Sequence, residues 1–117
     1  VWPQDRALYS EADQNLTVAM SGDRAVGLLL TDPDRGREEK AGYIKFLSIF
    51  PEAGAGLGVQ LIGEAVSRYR RAGRDRLRLC CPADNEGAQR FFQRYGFRKT
   101  GREDGGGLME KYIGFER

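Results

Sequence analysis

A chain of 117 residues, 40% hydrophobic and 31% charged, is long enough for one modest core and has the composition of an ordinary globular domain. Its 19 basic and 17 acidic side chains are interspersed, so the net charge of +2 gives no argument for nucleic acid as a partner. No run approaches the roughly 20 apolar residues of a membrane span, and no signal-peptide pattern opens the sequence, so neither membrane nor secretion is expected. Cys80 and Cys81 are neighbours, and a bond between neighbours needs strained geometry. Reduced thiols in a cytoplasmic protein are the expectation. With no His and no thiolates at ligand spacing, no metal site is expected.

In chain order, residues 1–14 are weakly patterned, and Trp2, Ala7, Leu8 and Ala12 suit a short amphipathic helix after Pro3. Leu16 to Met20 and Ala25 to Leu30 read as a hairpin turning at Ser21-Gly22-Asp23-Arg24. Thr31 to Ala41 is polar and turn-rich, an exposed loop. The apolar run Ile44-Lys45-Phe46-Leu47-Ser48-Ile49-Phe50 is a strand that Pro51 stops. After the small-residue loop Ala53-Gly54-Ala55-Gly56-Leu57-Gly58, apolar residues recur at spacings of three and four: Leu57, Leu61, Ile62, Ala65, Val66 and Tyr69. That pattern predicts a helix, closed by Gly73 as a left-handed cap. Asp75 to Cys81 is a further strand. Asp84 or Asn85 caps a second helix whose buried stripe is Ala88, Phe91, Phe92 and Tyr95, and Gly96 ends it. Phe97 to Gly101 and Leu108 to Phe115 form a last hairpin, joined across residues 102–107. Strands with helices between the middle ones predict one α/β domain over residues 1–117, with a mixed and mostly antiparallel sheet.

A strand, a glycine loop and a helix N-terminus converge free N–H groups and the positive end of the helix dipole on one point, which makes a phosphate seat. A tight turn is the plainer reading of the same glycines. The basic run Arg68-Arg70-Arg71-Arg74-Arg76 reads as a solvated helix face and turn, with modest attraction of an anionic ligand as its functional reading.

Together the two stretches resemble the GNAT superfamily of acetyl-CoA-dependent N-acetyltransferases. The loop Ala53 to Gly58 is similar to that family's pyrophosphate loop, usually Q/R-x-x-G-x-G/A, with Ala53 where Gln or Arg is usual. Asn85, Ala88, Phe92, Gly96 and Phe97 fall on the signature N-x-x-A-x-x-x-Y-x-x-x-G-F. The resemblance implies two central parallel strands, Tyr43–Phe50 and Arg76–Cys81, that splay to admit the pantetheine arm. It assigns coenzyme A to Leu47, Ser48 and Ile49 on the first strand, to Ala53, Gly54, Ala55, Gly56, Leu57 and Gly58 in the loop, and to Asn85, Ala88 and Phe92 on the second helix. Family members carry a strand and one or two helices ahead of the hairpin, where this sequence has at most 14 residues. A shortened N-terminal part is therefore expected: either the sequence is a fragment or processed form, or a second subunit of a homodimer supplies the missing wall.

The implied reaction moves an acetyl group from acetyl-CoA directly to a primary amine of a small molecule or peptide. It requires a held cofactor, an amine that loses a proton and a thiolate that is stabilised. The family's usual carboxylate positions correspond to Tyr43 and Cys80, neither of them an acid, which leaves Glu38 and Glu39 through water, or Tyr43, as candidates for the base. The plainer reading of the two acids is solvated loop charge. Phe92 replaces the signature Tyr and has no proton to give, leaving Ser48, Tyr95 or Cys81 as substitutes. The alternatives are a non-catalytic acyl-CoA-binding domain and a nucleotide-binding module. The latter lacks the Lys-Ser/Thr ending of a P-loop. Asp32, Asp34, Glu38 and Glu39 would suit a cationic acceptor.

Overall fold

A computed structural model describes residues 6–11, 15–50, 56–103 and 105–114. Seven strands and two helices follow one another as β1 (Arg6–Glu11), β2 (Leu16–Ser21), β3 (Arg24–Thr31), β4 (Ala41–Ile49), α1 (Leu57–Arg71), β5 (Arg76–Pro82), α2 (Glu86–Arg94), β6 (Arg98–Glu103) and β7 (Gly106–Tyr112), with a 3-10 turn at Arg37–Glu39. The strands form one sheet in the order β1-β2-β3-β4-β5-β7-β6. Every neighbouring pair is antiparallel except β4 and β5, as the mixed-sheet expectation requires.

Two expectations are corrected here. Residues 6–11 are not helical: they pair with β2 from Arg6↔Ser21 to Glu11↔Leu16, so the strand thought missing ahead of the hairpin is present as an edge strand. Trp2 and Ala12 lie outside the described residues. The last hairpin is also tighter than the glycine run suggests. Glu103 pairs with Gly106, so β6 and β7 extend well into the stretch read as loop, and Gly105 turns with φ 78°.

Both helices pack on the same side of the sheet, α1 across β3 and β4. Leu57, Leu61, Ile62, Ala65 and Tyr69 are its buried face, the stripe predicted from their spacing. They join Leu29, Ile44, Leu77, Leu79, Phe92, Phe97 and Met109 in the core. Each helix ends in a Schellman motif, with Gly73 (φ 83°) and Gly96 (φ 96°) in the left-handed region. After α1, Gly73 N–H donates to Arg70 C=O and Arg74 N–H to Tyr69 C=O; after α2, Gly96 donates to Gln93 and Phe97 to Phe92. The hydrophobic contact that accompanies such an ending is the Phe92–Phe97 ring pair, with centroids 5.5 Å apart.

The feature that positions the site is the divergence of β4 and β5. They pair through only four steps, Ala41↔Arg76 to Ile44↔Leu79, and then part, while β4 runs on to Ile49 and β5 to Pro82. A bulge marks the place: β3 advances one residue from Leu30 to Thr31 while β4 advances two, from Phe46 to Ile44. Beyond it Phe50 N–H donates to Val26 C=O at 2.9 Å, so β-alternation turns the peptide groups of Leu47 and Ile49 away from β3, into the opening.

Candidate functional site

Where the strands part, a cleft of about 330 Å³ opens between the end of β4 and the end of β5, lined among others by Leu47, Cys80, Cys81, Asn85, Ala88 and Phe92. Four residues assigned to coenzyme A by resemblance thus line one cavity: Leu47, Asn85, Ala88 and Phe92. Ser48 and Ile49 follow Leu47 on β4 without lining it. Asn85 caps α2, its Oδ1 accepting the Ala88 N–H at 3.0 Å. Phe92 is buried and meets the rings of Phe91 and Phe97 edge-on. Cys81 is buried behind the cleft; burial first, then the neighbouring Cys80, pushes its thiol up against the opposing pull of Lys99, which keeps it protonated at neutral pH.

At the other side of the loop, Ala53, Gly54 and Ala55 lie outside the described residues. Gly56 stands just ahead of α1 with φ 96°, a conformation that favours glycine, and its carbonyl accepts Gln60 N–H at 3.2 Å. No described side chain caps this helix, so the N–H groups of Leu57, Gly58 and Val59 head it without an intrahelical partner. Gly58 has a different reason to be glycine from the close ligand approach expected of it. A Cβ there would stand 2.5 Å from the Phe91 ring of α2, so the residue is small to let the two helices touch. Leu57 is fully buried, and its side chain serves the core.

The sheet face opposite the helices carries a second cavity of about 270 Å³, beginning where the strands part. Tyr43, Arg78 and Glu110 stand abreast on β4, β5 and β7. Arg78 donates to Glu110 at 2.7 Å and to Glu39 at 2.5 Å. The hydrogen bond from Arg78, then its charge, holds the Glu39 carboxyl below its usual range. Burial raises the Tyr43 phenol, outweighing the opposing Arg35 charge, so it remains neutral near pH 7. Arg35 lies over the Tyr43 ring, 4.0 Å from its centroid, and pairs with Glu103.

The structure therefore brings two base candidates, Glu39 and Tyr43, into one pocket. Glu38, on the same 3-10 turn as Glu39, is exposed and does not line it. Ser48 pairs with Leu28 further along β4. Arg35, Arg78, Glu103 and Glu110 were not foreseen. For Arg78 a signal was present: Arg76-Leu77-Arg78-Leu79 alternates with period two, which places Arg78 on the face away from the core. Its pairing with Glu110 depends on the β5–β7 register, which no local pattern announces.

The basic run is only in part a solvated face: Arg70, Arg71 and Arg76 are exposed, and Arg71 donates no further than Ser67 on its own helix, but three of the arginines are tied into the fold. Arg68 spans Thr17 (2.6 Å) and Thr31 (3.3 Å), which are buried. Arg70 donates to Ile113 C=O, and Arg74 to Ala41 C=O (2.7 Å) and Pro33 C=O (2.9 Å).

Among solved structures the chain is similar to the PaiA N-acetyltransferase from Thermoplasma acidophilum in complex with coenzyme A, at 19% identity and TM-score 0.73 over 83% of this chain and 59% of that one. It is similar to PH1933 from Pyrococcus horikoshii OT3, at 24% identity and TM-score 0.73, over 84% and 64%. It also resembles a nourseothricin acetyltransferase, at 21% identity and TM-score 0.75, over 86% and 67%. At these identities the likeness is one of fold, and the chain spans less than two thirds of the first two relatives' length. No curated protein matches. The model of the acetyltransferase (GNAT) family matches residues 2–97, most of the sequence, and with the splayed β4–β5 pair it shows that the chain belongs to the GNAT family.

Proposed function

We propose that the chain binds acetyl-CoA in the cleft between β4 and β5 and transfers the acetyl group directly to a primary amine. The observation that carries this reading is the parting of two parallel strands after Ile44↔Leu79, beside a helix whose first N–H groups have no side-chain cap among the described residues. The residues present fit the cofactor. Leu47 and Ile49 present peptide groups that need partners once β5 has diverged. Ala88 and Phe92 give an apolar wall, and the head of α1 from Gly56 suits a pyrophosphate. When bound, acetyl-CoA supplies the acyl thioester.

On the opposite face Tyr43, as a neutral phenol, donates or accepts a hydrogen bond but does not remove a proton at neutral pH. Glu39, drawn to Arg78, is a weak base. The amine proton therefore leaves through water, and positioning supplies most of the rate. Phe92 cannot protonate the departing thiolate.

The second reading, a non-catalytic acyl-CoA-binding domain, is favoured by the same lack of a strong base and of an acid at Phe92. Release of free coenzyme A thiol, followed on mixing the chain with acetyl-CoA and a panel of primary amines, separates the two. Amine-dependent release is expected. Binding of acetyl-CoA with no release for any amine would favour the non-catalytic reading.

A further inference from the structure

Arg35 fills a place that a ligand cation would suit. It lies in the loop between β3 and β4, with its backbone N–H tied to Asp32 Oδ1 at 3.3 Å, so the side chain alone reaches over the sheet. There its guanidinium meets an aromatic face, Tyr43, and a carboxylate, Glu103 at the end of β6. An aromatic face with a carboxylate is a general means of holding a cation. Below it the cavity continues to Arg78, already held by Glu39 and Glu110. Arg76 Nε also lies 4.0 Å from Glu110, so with Arg35 withdrawn two guanidiniums, Arg76 and Arg78, would face the three carboxylates of Glu39, Glu110 and Glu103. An incoming cation restores the balance.

We infer that this is the recognition subsite for the amine acceptor: a cationic group of the acceptor takes the place of the Arg35 guanidinium on the Tyr43 ring and the Glu103 carboxylate. The role of acceptor rests on the acetyltransferase reading; the cation site itself does not. Its location suits the role. Tyr43 and Arg78 each lie one residue before the last β4–β5 pair, and Cys80, which lines the cofactor cleft, has its Sγ 3.7 Å from the Glu103 carbonyl. Cavity and cleft thus meet at the point where the strands part.

The chemistry narrows the class of acceptor. The amine that is acetylated loses its proton before it attacks, whereas the group held on Tyr43 and Glu103 keeps its charge. Both belong to one molecule, which therefore carries a cationic group besides the reacting amine, as an alkyl diamine does. The exchange is easy because Arg35 and Glu103 are each 42% exposed, and an ion pair so open to water is weak. Two of the loop acids are already engaged: Asp34 pairs with Arg37, and Glu39, which lines the cavity, with Arg78.

Calorimetric titration of the full chain with 1,4-diaminobutane, and with butane-1,4-diol as a neutral probe of similar length, tests the assignment without turnover. The diamine is expected to bind and the diol not. Arg35→Ala should tighten diamine binding by about three- to tenfold, the worth of one exposed ion pair and one cation–π contact. Glu103→Gln should weaken it by about as much, and added salt should weaken it in the wild type. Arg35→Lys, which keeps a cation in place, should fall between wild type and Arg35→Ala. Thermal unfolding of each variant confirms that these exposed changes leave the fold intact. Unchanged or weaker diamine binding in folded Arg35→Ala, or equal binding of diol and diamine, would overturn the subsite. Acetyl-CoA titrated separately keeps the two readings apart: its failure to bind removes the transferase reading, while the diamine pattern stands or falls by itself.

Discussion

Gly58 and Gly63 lie on the same helix in opposite circumstances. At Gly58 a Cβ would press on the Phe91 ring at 2.5 Å, whereas at Gly63 it would meet nothing within 4 Å. Gly58→Ala should therefore cost about 1–2 kcal/mol, as overpacking does. Gly63→Ala should add about 0.5–1 kcal/mol by removing a flexible residue from a helix interior. Urea unfolding midpoints check both; equal shifts for the two would show that the α1–α2 contact at Phe91 is not the cause. This scale is also where sequence reading stops. Arg68, Arg70 and Arg74 look alike in a basic run, yet each reaches a carbonyl or hydroxyl far away in the chain. A guanidinium's partner depends on tertiary placement, and a run of charge carries no record of it. The same is true of Arg35, an ordinary loop residue until the fold lays it over Tyr43.

At the scale of elements, the two helices and the central strands were legible because periodicity and caps agree. The stripe from Leu57 to Tyr69 and the Asn85 cap each have a local physical cause. β1 was not legible: Arg6–Glu11 has neither a clear alternation nor a β-branched residue, and pairing with β2 makes it a strand. The β6–β7 turn was misjudged because three consecutive glycines read as loop, yet Gly106 lies where a Cβ would strike Cys80 Sγ at 2.6 Å. That glycine marks close strand packing. Phe92 belongs to this scale as well, since its contact with Phe97 completes the ending of α2. Phe92→Tyr would add a hydroxyl at a residue that also lines the cleft. It should raise turnover by about tenfold, less than a general acid usually gives because a thiolate leaves readily. Unaltered turnover and pH profile in Phe92→Tyr would show that protonating the thiolate does not limit the rate.

Across the whole molecule, the sheet separates two kinds of surface. Both helices and most of the core lie on one face, with the cleft proposed for acetyl-CoA beside α2; the other face carries Tyr43, Arg78 and Glu110. The parting of β4 and β5 joins the two, as the proposed direct transfer between cofactor and amine needs. The sequence motifs point to the cleft side, because loop and cap chemistry is local. They leave the opposite face almost blank, because it is assembled from single residues on β4, β5, β6, β7 and the loop before β4. The most direct test of the account is a calorimetric titration of this chain with acetyl-CoA, with ATP as the control. The account predicts that acetyl-CoA binds and ATP does not, and that acetyl-CoA at about a hundredfold over its Kd stabilises the fold by about 2.7 kcal/mol. A folded chain that binds neither, or that binds ATP and not acetyl-CoA, would contradict it.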